Sequence, residues 1–415
     1  MNGRPGRFRV AAWVLYDLAN TIFALGVVAL YFPAWLESYD LPDSLLAAAQ
    51  MSAAAVVIFV GPWSGARTDA SGRRIPTLIT TTMLAVVATS LLATGPVPLT
   101  VVLLGLAIIA VNTGSVVYDA LLIDVTTETN RGWISGLGVG IGYVGSFIGL
   151  AIGYVAFEML ELGYAATFQL LALGFLIFAI PAFVFIKEGP RRHEKGPGIA
   201  TVIPRLVHSW RFASRYEGVT RFLIGRFFYT DAINTLIGGF LTLFVIRELN
   251  FTQGQVNLLL LSSISAALFG GLIGGQILKW FAPLRLLRTV LIVWIFAIAA
   301  GIAANVTGFT GLAWVIGVLG GVALGATWAS DRVVMLRISP PRHIGEFYGL
   351  YGTVGRFATV FGPLVWAIIV DLLGFSRNWA MASLAGFIGT GLWILRKLDD
   401  TPRVWGPEDI SAAHQ

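Results

Sequence analysis

Cysteine is absent from this 415-residue chain. Disulfides, thiolate metal sites and cysteine nucleophiles are excluded at once. Histidine is scarce: His193, His208, His343 and His414 lie far apart in polar segments and suggest no metal cluster. Charge is scarce too. Only 12% of residues are Asp, Glu, Lys or Arg, against about 25% in an ordinary soluble domain. The polar segments are short and hold no nucleophile–base pair or phosphate loop, so neither an enzyme nor a cofactor is expected. No small-residue cleavage site follows the basic, apolar N-terminus. It is expected to remain as a first membrane span.

What the chain has instead is apolar sequence, 56% of its residues. A helix needs about 20 apolar residues to cross the hydrocarbon core. Twelve such runs are predicted, at 10–36, 44–66, 75–94, 98–122, 133–157, 165–187, 220–246, 254–278, 285–305, 309–338, 346–371 and 378–398. The longest polar stretch separates the sixth from the seventh. The expected organisation is an N-terminal six-helix bundle over 1–187, a cytoplasmic linker over 188–218, a C-terminal six-helix bundle over 219–398 and a cytoplasmic tail over 399–415. With both termini inside, cytoplasmic segments hold about 23 of the 28 Lys and Arg residues, and the outer loops only Arg247 and Arg377. The basic balance is thus a topology signal. Nucleic acid is not an expected partner; the bilayer of the inner membrane is.

Inside these runs a pattern repeats. Asp17-x-x-Asn20-Thr21 returns as Asp231-x-x-Asn234-Thr235, an offset of 231 − 17 = 214. Asp119 and Asp331 repeat nearly the same offset, 331 − 119 = 212. An aspartate at the centre of an apolar helix costs about 2.5–3.5 kcal/mol on insertion scales. Two matched pairs of them point to a duplicated unit, as in secondary transporters.

Gly65-x-x-x-Asp69-x-x-Gly72-Arg73-Arg74 joins the second and third runs. It resembles the signature loop of the major facilitator superfamily, with Ala70 where a base is usual. Trp13-x-x-Tyr16-Asp17, Tyr118-Asp119 through Asp124, the glycine run from Arg131 to Tyr143, and Arg226-Phe227-Phe228-Tyr229-x-Asp231 narrow the likeness. They resemble the "unknown major facilitator" family, which includes autophagy-related vacuolar amino-acid effluxers of fungi. The resemblance implies an all-α membrane protein with twelve transmembrane helices in two pseudo-symmetric bundles, the major facilitator fold. It also favours export, and implies that the first, fourth, seventh and tenth helices line a central cavity.

Each of those four helices carries a carboxylate. The candidate substrate and proton groups are Asp17, Asn20, Asp119, Asp231, Asn234, Asp331, Arg332, Arg226 and Arg356. The competing reading is structural: each acid could pair permanently with Arg226, Arg332 or Arg356. Four acids outnumber three in-span bases, and burial without a partner favours a protonated carboxyl, so protons are expected as a coupling ion. Tyr16, Tyr118, Tyr229 and Trp328 are candidate cavity aromatics, though aromatics also serve as packing. Gly65, Asp69, Gly72, Arg73 and Asp124 are the candidate cytoplasmic gate. Both charge signs suit a zwitterion such as an amino acid; amphipathic cations, drugs or lipids are the alternative small-molecule cargo. A monomer is expected. The glycines of the fifth run, spaced near four, read as a packing face.

Overall fold

A computed structural model describes residues 7–127, 131–188, 198–340 and 344–401. Among them every regular element is helical. Eleven helices are long and apolar enough to cross a membrane. A further helix, Arg74–Ser90, has 17 residues and rises roughly 26 Å. It lies where the third span was predicted. Numbered in order, span 1 is Arg7–Ser38 and span 2 Ser44–Ser71. Spans 3 and 4 are Arg74–Ser90 and Val97–Val125. Span 5 is Arg131–Tyr154, continued as Val155–Met159, and span 6 is Gly163–Phe185. Spans 7 to 10 are Val219–Arg247, Gln253–Ile277, Pro283–Thr307 and Ala313–Ile338. Span 11 comes in two pieces, Ile344–Phe357 and Phe361–Ala367, the second running on through Ile368–Leu372. Span 12 is Arg377–Leu395.

The chain divides into two compact units. One comprises the described residues of Met1–Val202 with Gly238–Leu243 and Thr252–Asn257; the other comprises Ile203–Ile237, Phe244–Phe251 and Leu258–Gln415. The division falls inside the stretch 188–218. That stretch also contains a helix, Val202–Ala213, which a reading of it as plain linker missed.

In the first unit, span 1 lies along the glycine face of span 5. A methyl on Gly145 would run into the backbone carbonyl of Leu18, and one on Gly153 into the Tyr31 ring. Only hydrogen at these positions lets the two backbones come this close. In the second unit span 10 meets span 8 in the same way: Gly321 and Gly325 abut the carbonyls of Ser263 and Ala267.

The break in span 11 has a local cause. Pro363 lacks an N–H, and its ring crowds the carbonyl four residues back, at Thr359. The helix therefore stops at Phe357 and restarts at Phe361. Such a break inside an apolar span leaves backbone groups needing partners.

Candidate functional site

Span 7 supplies those partners. The Asn234 side-chain amide donates to the carbonyls of Gly355 at 3.4 Å and Ala358 at 2.8 Å. Three residues earlier, one helical step along the same face, Asp231 Oδ2 accepts from Gly362 N at 2.6 Å. The D-x-x-N pair thus clamps both ends of the span 11 break. Thr235 completes the contact: its hydroxyl bonds the Asp231 carbonyl at 2.7 Å and fills the space beside Gly362 where a methyl would sit. Asp231 is fully buried, and its second oxygen, Oδ1, has no hydrogen-bond partner among the described residues.

In the same unit, Arg226 and Asp331 are paired with each other. Arg226 Nε donates to Asp331 Oδ2 at 3.2 Å, with Asp331 at 0% exposure. Arg226 also donates to the Tyr351 carbonyl at 3.0 Å and lies 3.6 Å over the Tyr351 ring. Tyr229 Oη donates to Asp331 at 3.5 Å. Gly355 leaves the room that the guanidinium occupies. In this structure the two form one buried ion pair. Arg332, next along span 10, is exposed, and its carbonyl accepts from Tyr348 Oη at 2.8 Å. Arg356 and Trp328 are half-buried.

In the first unit Asp17 sits against span 5, where a methyl on Gly142 would come within 2.8 Å of its carboxylate. Thr21 Oγ1 donates to the Gly142 carbonyl at 2.5 Å. So Asp17 and Thr21 meet a glycine of span 5, as Asp231 and Thr235 meet a glycine of span 11. Span 5 is continuous here, however, and has no broken ends to clamp. Asn20 is half-buried, and its buried Oδ1 has no hydrogen-bond partner among the described residues. Asp119 is exposed on span 4.

The aromatics beside these acids are packed rather than open. Trp13 stacks on Tyr118 at 4.7 Å and donates to its carbonyl at 3.2 Å. Tyr16 stacks on the other side of Tyr118 at 5.1 Å and bonds Thr82 at 2.7 Å. Tyr16, Tyr118 and Tyr229 are each at most 3% exposed. They pin helix to helix, because a buried ring gains more from offset stacking than from lining a wet space.

The candidate gate rearranges by one residue. Asp124 pairs with Arg74 at 3.1 Å, and Arg74 also donates to the Ala120 carbonyl at 2.9 Å. Arg73, the partner expected from the loop motif, is exposed. Gly72 ends span 2 at φ 65°, the left-handed turn that glycine takes without strain. Gly65 faces the Val116 side chain of span 4. The Asp69 side chain lies outside the described residues.

A model of the family described as "Vacuole effluxer Atg22 like" matches residues 123–401, about two thirds of the chain. The chain belongs to the Atg22-like effluxer family. It is 28% identical over 412 residues to the uncharacterized MFS-type transporter YxiO of Bacillus subtilis, covering 92% of this chain and 93% of that one. It is 25% identical over 272 residues to autophagy-related protein 22-1 of Aspergillus fumigatus, covering 58% of this chain but only 44% of the fungal protein. Among solved structures it superposes on the nucleoside transporter NupG with a TM-score of 0.76 at 11% identity, over 94% of this chain and 99% of that. The xylose transporter XylE from E. coli gives 0.64 at 14% identity, over 94% and 93%. At these identities the structural neighbours speak for the fold alone. It is the major facilitator fold, and this Atg22-like protein is a membrane transporter of that type.

Two residues of this Atg22-like chain escaped the sequence reading. Just after span 6, Glu188 accepts from the backbone N–H groups of Arg74 and Ile75, the latter at 3.0 Å. A carboxylate at the first turn of span 3 satisfies orphan donors and suits the helix dipole. Just after span 12, Asp400 does the same for span 9, accepting from Leu284 N at 2.9 Å. Arg337 lies 3.9 Å from Asp400. Their separation, 400 − 188 = 212, equals that of Asp119 and Asp331. The signal was present in the spacing.

Proposed function

We propose that this transporter moves amino acids or similar zwitterions by alternating access of its two six-helix units, with proton coupling and export as the working direction. The observation that carries the reading is the divergence of the duplicated motif. In the second unit Asn234 is occupied by the span 11 break. In the first unit span 5 is unbroken, and the buried Asn20 acceptor is left over beside Asp17. An ammonium group supplies the donor that this amide oxygen lacks. The proton is assigned to Asp231, a buried carboxyl that shares no ion pair with an arginine among the described residues and keeps one oxygen unoccupied. The cation distribution favours the inner membrane with both termini cytoplasmic.

The test is a thermal-shift and counterflow screen of purified protein. A matching amino acid at about 100 times its Kd is expected to stabilise by roughly 2.7 kcal/mol. Its decarboxylated amine and its deaminated acid should each stabilise less. Asn20→Leu should lose the distinction between the amino acid and its deaminated acid. A lipophilic cation that stabilises more than any zwitterion would sink the assignment.

A further inference from the structure

The helix Val202–Ala213 between the two halves reads VIPRLVHSWRFA. Ile203, Val207 and Trp210 recur at i, i+4 and i+7, and all three are exposed, at 46%, 43% and 36%. An apolar stripe left on show beside exposed His208 and Arg211 is the pattern of a helix that lies in a membrane interface. The helix is held down at its C-terminal end. Phe212, Tyr216 and Phe347 pack edge-to-face with ring centroids 5.3–5.9 Å apart. Phe347 belongs to span 11, so this helix is fixed to the second unit.

Between this helix, span 7 and span 11 runs a groove of about 460 Å³. Its walls are apolar, with Leu223 and Phe227 from span 7 and Leu350 and Val354 from span 11. Among the described residues Arg211 is the one charged residue that lines it, and Trp210 stands beside it. A ligand that fits must carry an extended apolar tail and an anionic head. An amphipathic cation is repelled by Arg211. A soluble anion gains nothing from the walls. The surrounding sequence is rich in cations, with Lys187, Arg191, Arg192, Lys195, Arg205, Arg211 and Arg215 within 29 positions, and such a juxtamembrane segment draws in anionic lipid.

We propose that the groove is a binding site for an anionic phospholipid. One acyl chain lies between spans 7 and 11, the phosphate meets Arg211, and Trp210 sits at headgroup level as interfacial indoles do. The proposal is independent of the transported solute.

The test uses the full-length protein in neutral detergent, melted with phosphatidylglycerol, phosphatidylcholine or inorganic phosphate, with native mass spectrometry counting retained lipid. Phosphatidylglycerol is expected to raise Tm, phosphatidylcholine to do so less, and phosphate not at all. Arg211→Gln should weaken phosphatidylglycerol about fivefold, the loss of one basic contact near a membrane surface. Val354→Trp fills the groove and should abolish lipid retention while leaving the lipid-free melt in place. Ile224→Trp fills it from the opposite wall and decides the matter if Val354→Trp fails to fold. Equal response to the two lipids overturns the headgroup assignment. Retention of phosphatidylglycerol by a folded groove-filling variant overturns the site. A phosphate response matching that of phosphatidylglycerol overturns the acyl chain.

Discussion

Replacing Arg226 by Met should destabilise the second unit by about 3–5 kcal/mol, the cost of stranding one buried charge of a pair. Asp331 would then sit at 0% exposure without its arginine, left to the Tyr229 hydroxyl 3.5 Å away and the Tyr351 side chain. The double variant Arg226→Met with Asp331→Leu should recover most of the loss, because an apolar pair of similar volume removes both desolvation penalties. Recovery will be incomplete: the Tyr229 hydroxyl and the Tyr351 carbonyl lose partners. The measurement is the midpoint of thermal unfolding in detergent for the single and double variants. A double variant as unstable as the single one would show that the pair is not the unit that matters.

Asp231 should separate two roles by choice of substituent. Asp231→Leu removes the acceptor for Gly362 N–H, and a backbone donor unsatisfied in an apolar environment costs several kcal/mol. That variant should melt far lower or fail to assemble. Asp231→Asn keeps an amide oxygen for the same N–H but cannot gain or lose a proton. It should fold, exchange solute at zero gradient, and lose acceleration by an imposed proton gradient in proteoliposomes. A folded Asp231→Asn with wild-type gradient dependence would remove Asp231 from coupling and leave it a purely structural clamp.

The spans were legible in the sequence because each needs a long apolar run, and lipid enforces that need on every helix. The duplicated motif was legible as well, down to Asp231 and Asn234 sharing a face. Its use was not. The Gly362-Pro363 pair that breaks span 11 reads along the chain as an ordinary bend, and nothing local says that span 7 satisfies the exposed backbone. The loop motif points Asp124 toward Arg73, and the structure gives it Arg74. Arg73 adopts φ −116°, ψ 81° just outside span 3, whereas Arg74 is the first helical residue. One residue of helix onset decides which arginine turns toward span 4. The helix at Val202–Ala213 was hidden by its Gly- and Pro-rich flank, although Ile203, Val207 and Trp210 carry the period.

The carboxylates after spans 6 and 12 have a mechanical meaning. Glu188 fastens the end of one six-helix set to its own third helix, and Asp400 does so for the other. Each set therefore closes on itself through a carboxylate at its own C-terminal end. What joins the sets is the connecting segment, whose helix Val202–Ala213 packs on the second unit through Phe212 against Phe347. Doubling its length would add only about 0.6 kcal/mol of closure entropy. The carboxylates of Glu188 and Asp400, one at the exit of each set, are the fixed points.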